Sequence, residues 1–149
     1  MGFLPASIQF NSAALAGKNV GATPDGRRAG EPLCESLGAI YSKDTEGPTA
    51  LLNSVASLDL KRALGIPVLN FTVNPKINDD IFKALILGYM DKGGIHMQVT
   101  CTTREMLLDA YNNPEKYKNL VVRVGGYSEY FNNLSDDLKK LIINRMIYD

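Results

Sequence analysis

The chain has 149 residues, 45% of them hydrophobic and 21% charged, and its sixteen basic residues balance sixteen acidic ones. That suits one globular domain with a workable core, and a zero net charge supplies no field to draw the chain to nucleic acid or an anionic membrane. No apolar run approaches the roughly 20 residues that cross a bilayer, and the amino terminus lacks the basic-then-apolar pattern of a secretory signal, so a cytoplasmic protein with a small-molecule or protein partner is expected.

Residues 1 to 48 are rich in Gly, Pro, Ser and Ala and show no sustained period, which predicts an irregular segment wrapped over a core. So long a loop further predicts packing on something outside the chain, or membership of a larger protein. Within it, Pro24-Asp25-Gly26 makes a turn that presents Arg27 and Arg28. Two readings stand side by side: solvated arginines, or a rigid, partly buried loop whose guanidinium groups orient a partner loop or substrate.

From residue 49 to 149 the pattern becomes that of an α/β core. Pro48 starts a helix carrying Leu51, Leu52, Val55 and Leu58, and Ile66 to Asn74 alternates as a strand. Asn78 or Asp79 caps the next helix, whose Ile81, Phe82, Leu85, Ile86, Tyr89 and Met90 share a face and which Gly93-Gly94 ends. A strand from Ile95 to Cys101 follows. Thr103 caps a helix with Leu107, Leu108 and Tyr111, Pro114 opens a further turn, and Leu120 to Val124 forms a short apolar strand. Ser135 caps the last helix, with Leu138, Leu141, Ile142 and Met146 inward. Three strands make a narrow sheet, and neither repeats nor a linker divide the chain.

The usual active-site templates fail. Ala14 to Gly21 contains Gly17-Lys18, yet Ser12 stands where a phosphate-binding loop needs its first glycine, and no GxGxxG follows a strand. Cys34 and Cys101 form no CxxC pair and His96 is the only histidine, so a zinc site built from this chain is disfavoured and both cysteines read as reduced, buried or half-buried thiols. Between Ile95 and Met97 in a predicted strand, His96 reads as a satisfied structural imidazole rather than a base. The sequons at Asn70 and Asn133 are chance matches in a chain without an export signal.

What remains is "NLVVRVGGYSEYF", residues 119 to 131, where two glycines interrupt a β-branched run. Alone, they read as a strand-terminal turn. Together with "TPDGRRAGEPL", "GPTALLNSVASLDL", "GGIHMQV" and "REMLLDAYNNPEKYKNLVVRVGGYSEYFNNLS", they make the chain resemble the carboxyl-terminal region of glycyl radical enzymes, which include pyruvate formate-lyase and radical diol, choline and hydroxyproline lyases. The family signature Arg-Val-x-Gly-Tyr is matched by Arg123, Val124, Gly125, Gly126 and Tyr127. Family members usually carry Ser, Ala or Cys where Gly125 stands and a small residue where Glu129 stands.

The resemblance implies a fold that is the carboxyl-terminal portion of a ten-stranded α/β barrel, with a glycyl radical loop at 123 to 128 just after the last predicted strand. It places the stored radical on Gly126, supported by Arg123, Val124, Gly125, Tyr127 and Ser128, with Arg27 and Arg28 as loop-orienting candidates. No cofactor or metal is held permanently. A radical S-adenosylmethionine activating enzyme with an iron-sulfur cluster installs the radical, which passes to a cysteine on a separate region of the enzyme; neither Cys34 nor Cys101 has the matching context, so the chain alone should be inactive. A glycine suits the role because a planar α-carbon delocalises the electron over its flanking amide groups and no side chain blocks approach. Three readings follow: a radical-bearing domain or subunit of a lyase, dehydratase or formate acetyltransferase; an autonomous spare part for an oxygen-damaged lyase; and a scaffold that has lost the chemistry. Apolar surface and open strand edges predict self-association or a partner.

Overall fold

The computed structural model describes residues 13–41, 43–62, 65, 67–145 and 147–148. Among the described residues, five α-helices, α1 (Ala13–Gly17), α2 (Pro48–Ala56), α3 (Asp79–Asp91), α4 (Arg104–Asn112) and α5 (Asp136–Ile143), are interspersed with five strands, β1 (Asn70–Val73), β2 (Gln98–Cys101), β3 (Val121–Arg123), β4 (Ser128–Tyr130) and β5 (Ile147–Tyr148). The caps follow side-chain chemistry. Asn78 accepts from the amides of Asp80 and Ile81, Thr103 from Met106 and Ser135 from Leu138, each satisfying helix-end donors that have no partner within the helix.

The strands form two sheets, which corrects the expectation of one three-stranded sheet. Parallel β2-β1-β5 is one, and the antiparallel hairpin β3-β4 is the other. β1 and β2 are joined through α3, the crossover a parallel pair needs, with Asn70 opposite Gln98 and Val73 opposite Cys101. β3 instead runs into Gly125-Gly126, reverses, and pairs with the segment that follows, Arg123 opposite Ser128. The third place in the parallel sheet goes to β5, which sets Thr72 against Ile147 and is only two residues long.

The strands are also shorter than predicted. β1 begins at Asn70 rather than Ile66, which lies outside the described residues, and Pro67 brings no amide hydrogen to a ladder. β2 begins at Gln98, so His96 precedes the strand rather than sitting within it.

Two apolar clusters fill the interior. Val122, Val124 and Phe131 from the hairpin region meet Leu107 and Ala110 of α4 and Leu141, Ile142 and Ile143 of α5; on the parallel sheet, Phe71, Val73 and Tyr148 meet Leu52, Val55 and Tyr89. Ile81 and Met90 are exposed although they share the predicted face, because the inward stripe of α3 centres on Phe82, Leu85 and Tyr89 and leaves its margins in solvent; Leu58, predicted on the helix that Pro48 starts, lies beyond the end of α2 at Ala56 and is exposed, as is Leu108 on α4. Met146, expected inward, lies outside the described residues.

The segment before α2 crosses both clusters. The Leu33 amide donates to the Ala13 carbonyl and the Leu37 amide to that of Val68, each at 3.0 Å; Tyr41 packs on the first cluster and Leu37 on the second. The Tyr148 hydroxyl donates to the Asp44 carboxylate, and burial, then that bond, holds the phenol far above its ordinary pKa. Among the described residues, no helix is long and apolar enough to cross a membrane.

Candidate functional site

Side chains alternate along β3 and the residue after it: Val122 and Val124 are buried while Val121 is exposed. Burial of that pair fixes the base of the hairpin, and the Val124 amide closes the loop by donating to the Tyr127 carbonyl at 3.0 Å. At the tip, Gly126 is exposed with φ +82°, a left-handed conformation that glycine adopts without steric cost. A β-carbon built on Gly126 would find no atom within 4 Å, so the space beside its α-carbon is open.

Other elements hold the loop in place. The side-chain oxygen of Gln98, on β2, accepts from the Gly126 amide at 3.0 Å and from Arg123 Nε at 2.9 Å. Arg123 Nη1 also donates to Ser128 Oγ across the hairpin at 3.2 Å. Gln98 can do this because β1 and β2 alternate in the unusual sense. Phe71 and Val73 turn into an apolar cluster, while Thr72, Gln98 and Thr100 are buried on the other face, toward the glycine hairpin.

The carbonyls just before the glycine pair are gripped as well. Arg145, 9% exposed, donates to the Arg123 carbonyl at 2.5 Å and to the Val124 carbonyl, and its Nε and Nη2 fork onto the Glu35 carboxylate at 2.7 and 2.8 Å. Asn70 Nδ2 adds a bond to the Val124 carbonyl at 3.4 Å. Glu35 thus ties the crossing segment to the root of the loop. Burial, then the negative charge of Glu35, raises the pKa of the neighbouring Tyr41 far above its ordinary value.

Of the residues singled out in the sequence, Arg123, Val124, Gly126, Tyr127 and Ser128 come together here, with Gly125 between them in the half-buried turn. Arg27 and Arg28 do not. Arg27 is buried in its own loop, donating to the carbonyls of Arg28, Glu31, Val20 and Gly21, whereas Arg28 is exposed. Cys34 is half-buried, and burial raises its thiol pKa; Cys101 is exposed at the end of β2, correcting the expectation of a covered thiol. His96 Nδ1 is buried without a hydrogen-bond partner, against the satisfied imidazole expected. Among the described residues, no group of three or more His, Cys, Asp or Glu could hold a metal ion.

Sequence reasoning missed Gln98, Arg145, Glu35 and Asn70. A signal existed for two of them: "NFTV" and "QVTC" both place polar residues at alternate positions of short strands, which marks a polar sheet face. Nothing local marks Glu35 or Arg145, which are 110 residues apart in the chain.

Residues 35–132, containing the hairpin, match the family described as Glycine radical. The chain belongs to that family. It is 37% identical over 150 residues to formate acetyltransferase 1 of Escherichia coli (strain K12), an alignment covering 93% of this chain and 20% of that enzyme. With trans-4-hydroxy-L-proline dehydratase of Clostridioides difficile it shares 37% identity over 134 residues, covering 87% and 17%. The glycerol-bound glycerol dehydratase from Clostridium butyricum superimposes with a TM-score of 0.85 at 37% identity, over 92% of this chain and 18% of that one. The fold is therefore that of a portion of the glycyl radical enzyme barrel, and the chain spans about a fifth of the length of the relatives it matches.

Proposed function

We propose that the chain is the radical-bearing domain of a glycyl radical enzyme and that Gly126 stores the radical. The observation that carries this reading is the placement of Gly126, inside the family match, at an exposed hairpin tip with open space over its α-carbon and its amide held by Gln98. An activating enzyme that cleaves a C–S bond of S-adenosylmethionine with one electron from an iron-sulfur cluster would release a carbon radical, and the α-hydrogen atom would pass to that carbon, forming its C–H bond as the Gly126 α-C–H bond breaks, so that Gly126 would lose a proton and an electron together and stay neutral. The radical then takes a hydrogen atom from a cysteine thiol on the remainder of the enzyme: that S–H bond breaks as the α-C–H bond re-forms.

The hairpin's exposure supports such a division of labour. A backbone carbon reachable from solvent in this chain is one that a second protein surface can reach, first to remove the hydrogen and then to use the radical. The same exposure leaves a stored radical open to oxygen unless the rest of the enzyme covers it.

Incubated without oxygen with the cognate activating enzyme, S-adenosylmethionine and a reductant, the chain should give an electron paramagnetic resonance doublet, split by the remaining α-hydrogen. Gly126→Ala should abolish the doublet and Gly125→Ala should reduce it less. Admitting air should cut the backbone at residue 126 and release a tail from Tyr127 to Asp149. A doublet surviving in Gly126→Ala, or a cut elsewhere, would assign the radical to another residue; a chain that no activating enzyme touches would be a scaffold. Restored turnover on mixing the activated chain with an oxygen-cleaved lyase would identify a spare part.

A further inference from the structure

Gln98 has no place in the reading above beyond holding the loop, yet its bond ends on one of the groups over which a glycine radical is delocalised. The geometry points to Gln98 as a positioning residue that sets how the unpaired electron of Gly126 is shared between the α-carbon and the amide nitrogen. The inference rests on the assignment of the radical to Gly126.

The side chain is fixed for this task at both ends. Two donors, the Gly126 amide at 3.0 Å and Arg123 Nε at 2.9 Å, converge on one terminal atom of Gln98, and only the amide oxygen can accept both, so the orientation of the side-chain amide follows from its partners. Gln98 is 9% exposed and stands on a strand whose ladder to β1 locks its backbone. The oxygen is polarised by the Arg123 guanidinium and remains uncharged, an acceptor of moderate strength.

That strength bears on the radical through its nitrogen. A glycyl radical is stabilised when the amide nitrogen donates its lone pair toward the half-filled orbital on the α-carbon while the carbonyl withdraws. An acceptor on the N–H draws the hydrogen outward, raises the donor power of the nitrogen and moves spin density onto it. At φ +82° the α-carbon frame stands nearly perpendicular to the amide plane, so delocalisation onto nitrogen requires φ to move toward the extended range as the hydrogen leaves, while Gln98 holds the N–H itself in place. Without that hydrogen bond, more spin stays on carbon, where an approaching thiol or oxygen reacts.

The test uses the full chain labelled with ¹⁵N-glycine and three proteins: wild type, Gln98→Met and Gln98→Glu. Methionine fills nearly the same volume and gives up the strong acceptor; glutamate keeps an acceptor beside Arg123 and adds charge. Before activation, exchange of the Gly126 amide hydrogen should be about fivefold faster in Gln98→Met, the size set by one neutral hydrogen bond, and no faster than wild type in Gln98→Glu. After activation, the ¹⁵N hyperfine coupling should fall and the α-hydrogen splitting rise in Gln98→Met, with the opposite displacement in Gln98→Glu. A residue with only a structural role would change radical yield without moving the two couplings in opposite directions.

Unchanged couplings in both variants, with the wild-type doublet present, would overturn the role of Gln98 while leaving Gly126 as the radical site. A doublet surviving in Gly126→Ala would instead remove the premise. If Gln98→Met is unfolded or takes up no radical, the amide exchange and couplings of Gln98→Glu decide: exchange faster than wild type, or a ¹⁵N coupling that does not rise, refutes the proposal.

Discussion

Gly26 and Gly126 both stand at positive φ in turns whose carbonyls an arginine grips, and the two turns are held in opposite ways. Gly26, at φ +97°, sits in a loop that Arg27 closes from within, through carbonyls no more than seven residues away. Gly126, at φ +82°, sits in a loop held by Gln98 and Arg145, 28 residues before it and 19 after, with Glu35 behind the arginine. The first turn is a local device that would keep its shape wherever it was carried. The second takes its position from β2, from the chain end and from the crossing segment together, so the place of its α-carbon is a property of the whole fold. A group that must meet a second protein surface accurately needs the second kind of support.

The sharpest way to break the contrast is to remove Arg145. Arg145→Leu leaves the Glu35 carboxylate without its forked partner and two carbonyls without donors, and removal of one member of a buried pair costs about 3–5 kcal/mol. Urea unfolding should show a midpoint lowered accordingly with an unchanged slope, and Glu35→Leu added to Arg145→Leu should recover much of the loss. A single variant that loses less than about 1 kcal/mol, the scale of an exposed pair, would mean that the hairpin base is held by its apolar contacts alone.

Arg27 offers the milder counterpart. Arg27→Lys keeps the charge, but a single ammonium cannot span the four carbonyls that the guanidinium reaches, and a loss of about 2 kcal/mol is expected. Because the contacts are local, faster proteolysis should appear within residues 19 to 31 and the glycyl doublet should keep its line shape. A changed doublet would show that the two loops communicate, and the contrast between local and distributed support would fail.

The same contrast explains what could be read in the sequence. Caps, turn glycines and the inward stripe of α5 are local, and Asn78, Thr103 and Ser135 stand where their chemistry placed them. The pairing of β3 with β4 was not read, because a three-residue strand carries too little alternation to choose between a neighbour in sequence and a neighbour in the parallel sheet. The Arg27 loop is legible as a turn because Pro24-Asp25-Gly26 specifies one, but the sequence leaves open whether the arginines are solvated or buried, and only the fold shows the Arg27 guanidinium buried on carbonyls of its own loop. Gly126 is singled out by the motif around it, whereas the residues that hold its loop in space, Gln98 and Arg145, emerge only when distant elements are brought together.

A matched pair of substitutions makes the smallest disturbance and separates conformation from chemistry. Gly26→Ala and Gly126→Ala each put a β-carbon on a residue in the left-handed region, at a cost of about 1–2 kcal/mol, and neither site adds a steric clash. The nearest atom to a β-carbon at Gly26 is Lys43 Cε at 3.7 Å, ordinary contact, and none lies within 4 Å at Gly126. The two variants should therefore unfold at similar urea concentrations, slightly below the wild-type midpoint. Their activated spectra should differ completely: Gly26→Ala should keep the doublet and Gly126→Ala should lose it. That outcome would locate the requirement for glycine at residue 126 in the reacting α-carbon. If Gly126→Ala were instead several kcal/mol less stable than Gly26→Ala, loss of its signal would have a structural explanation, and the glycine would be there to make the turn.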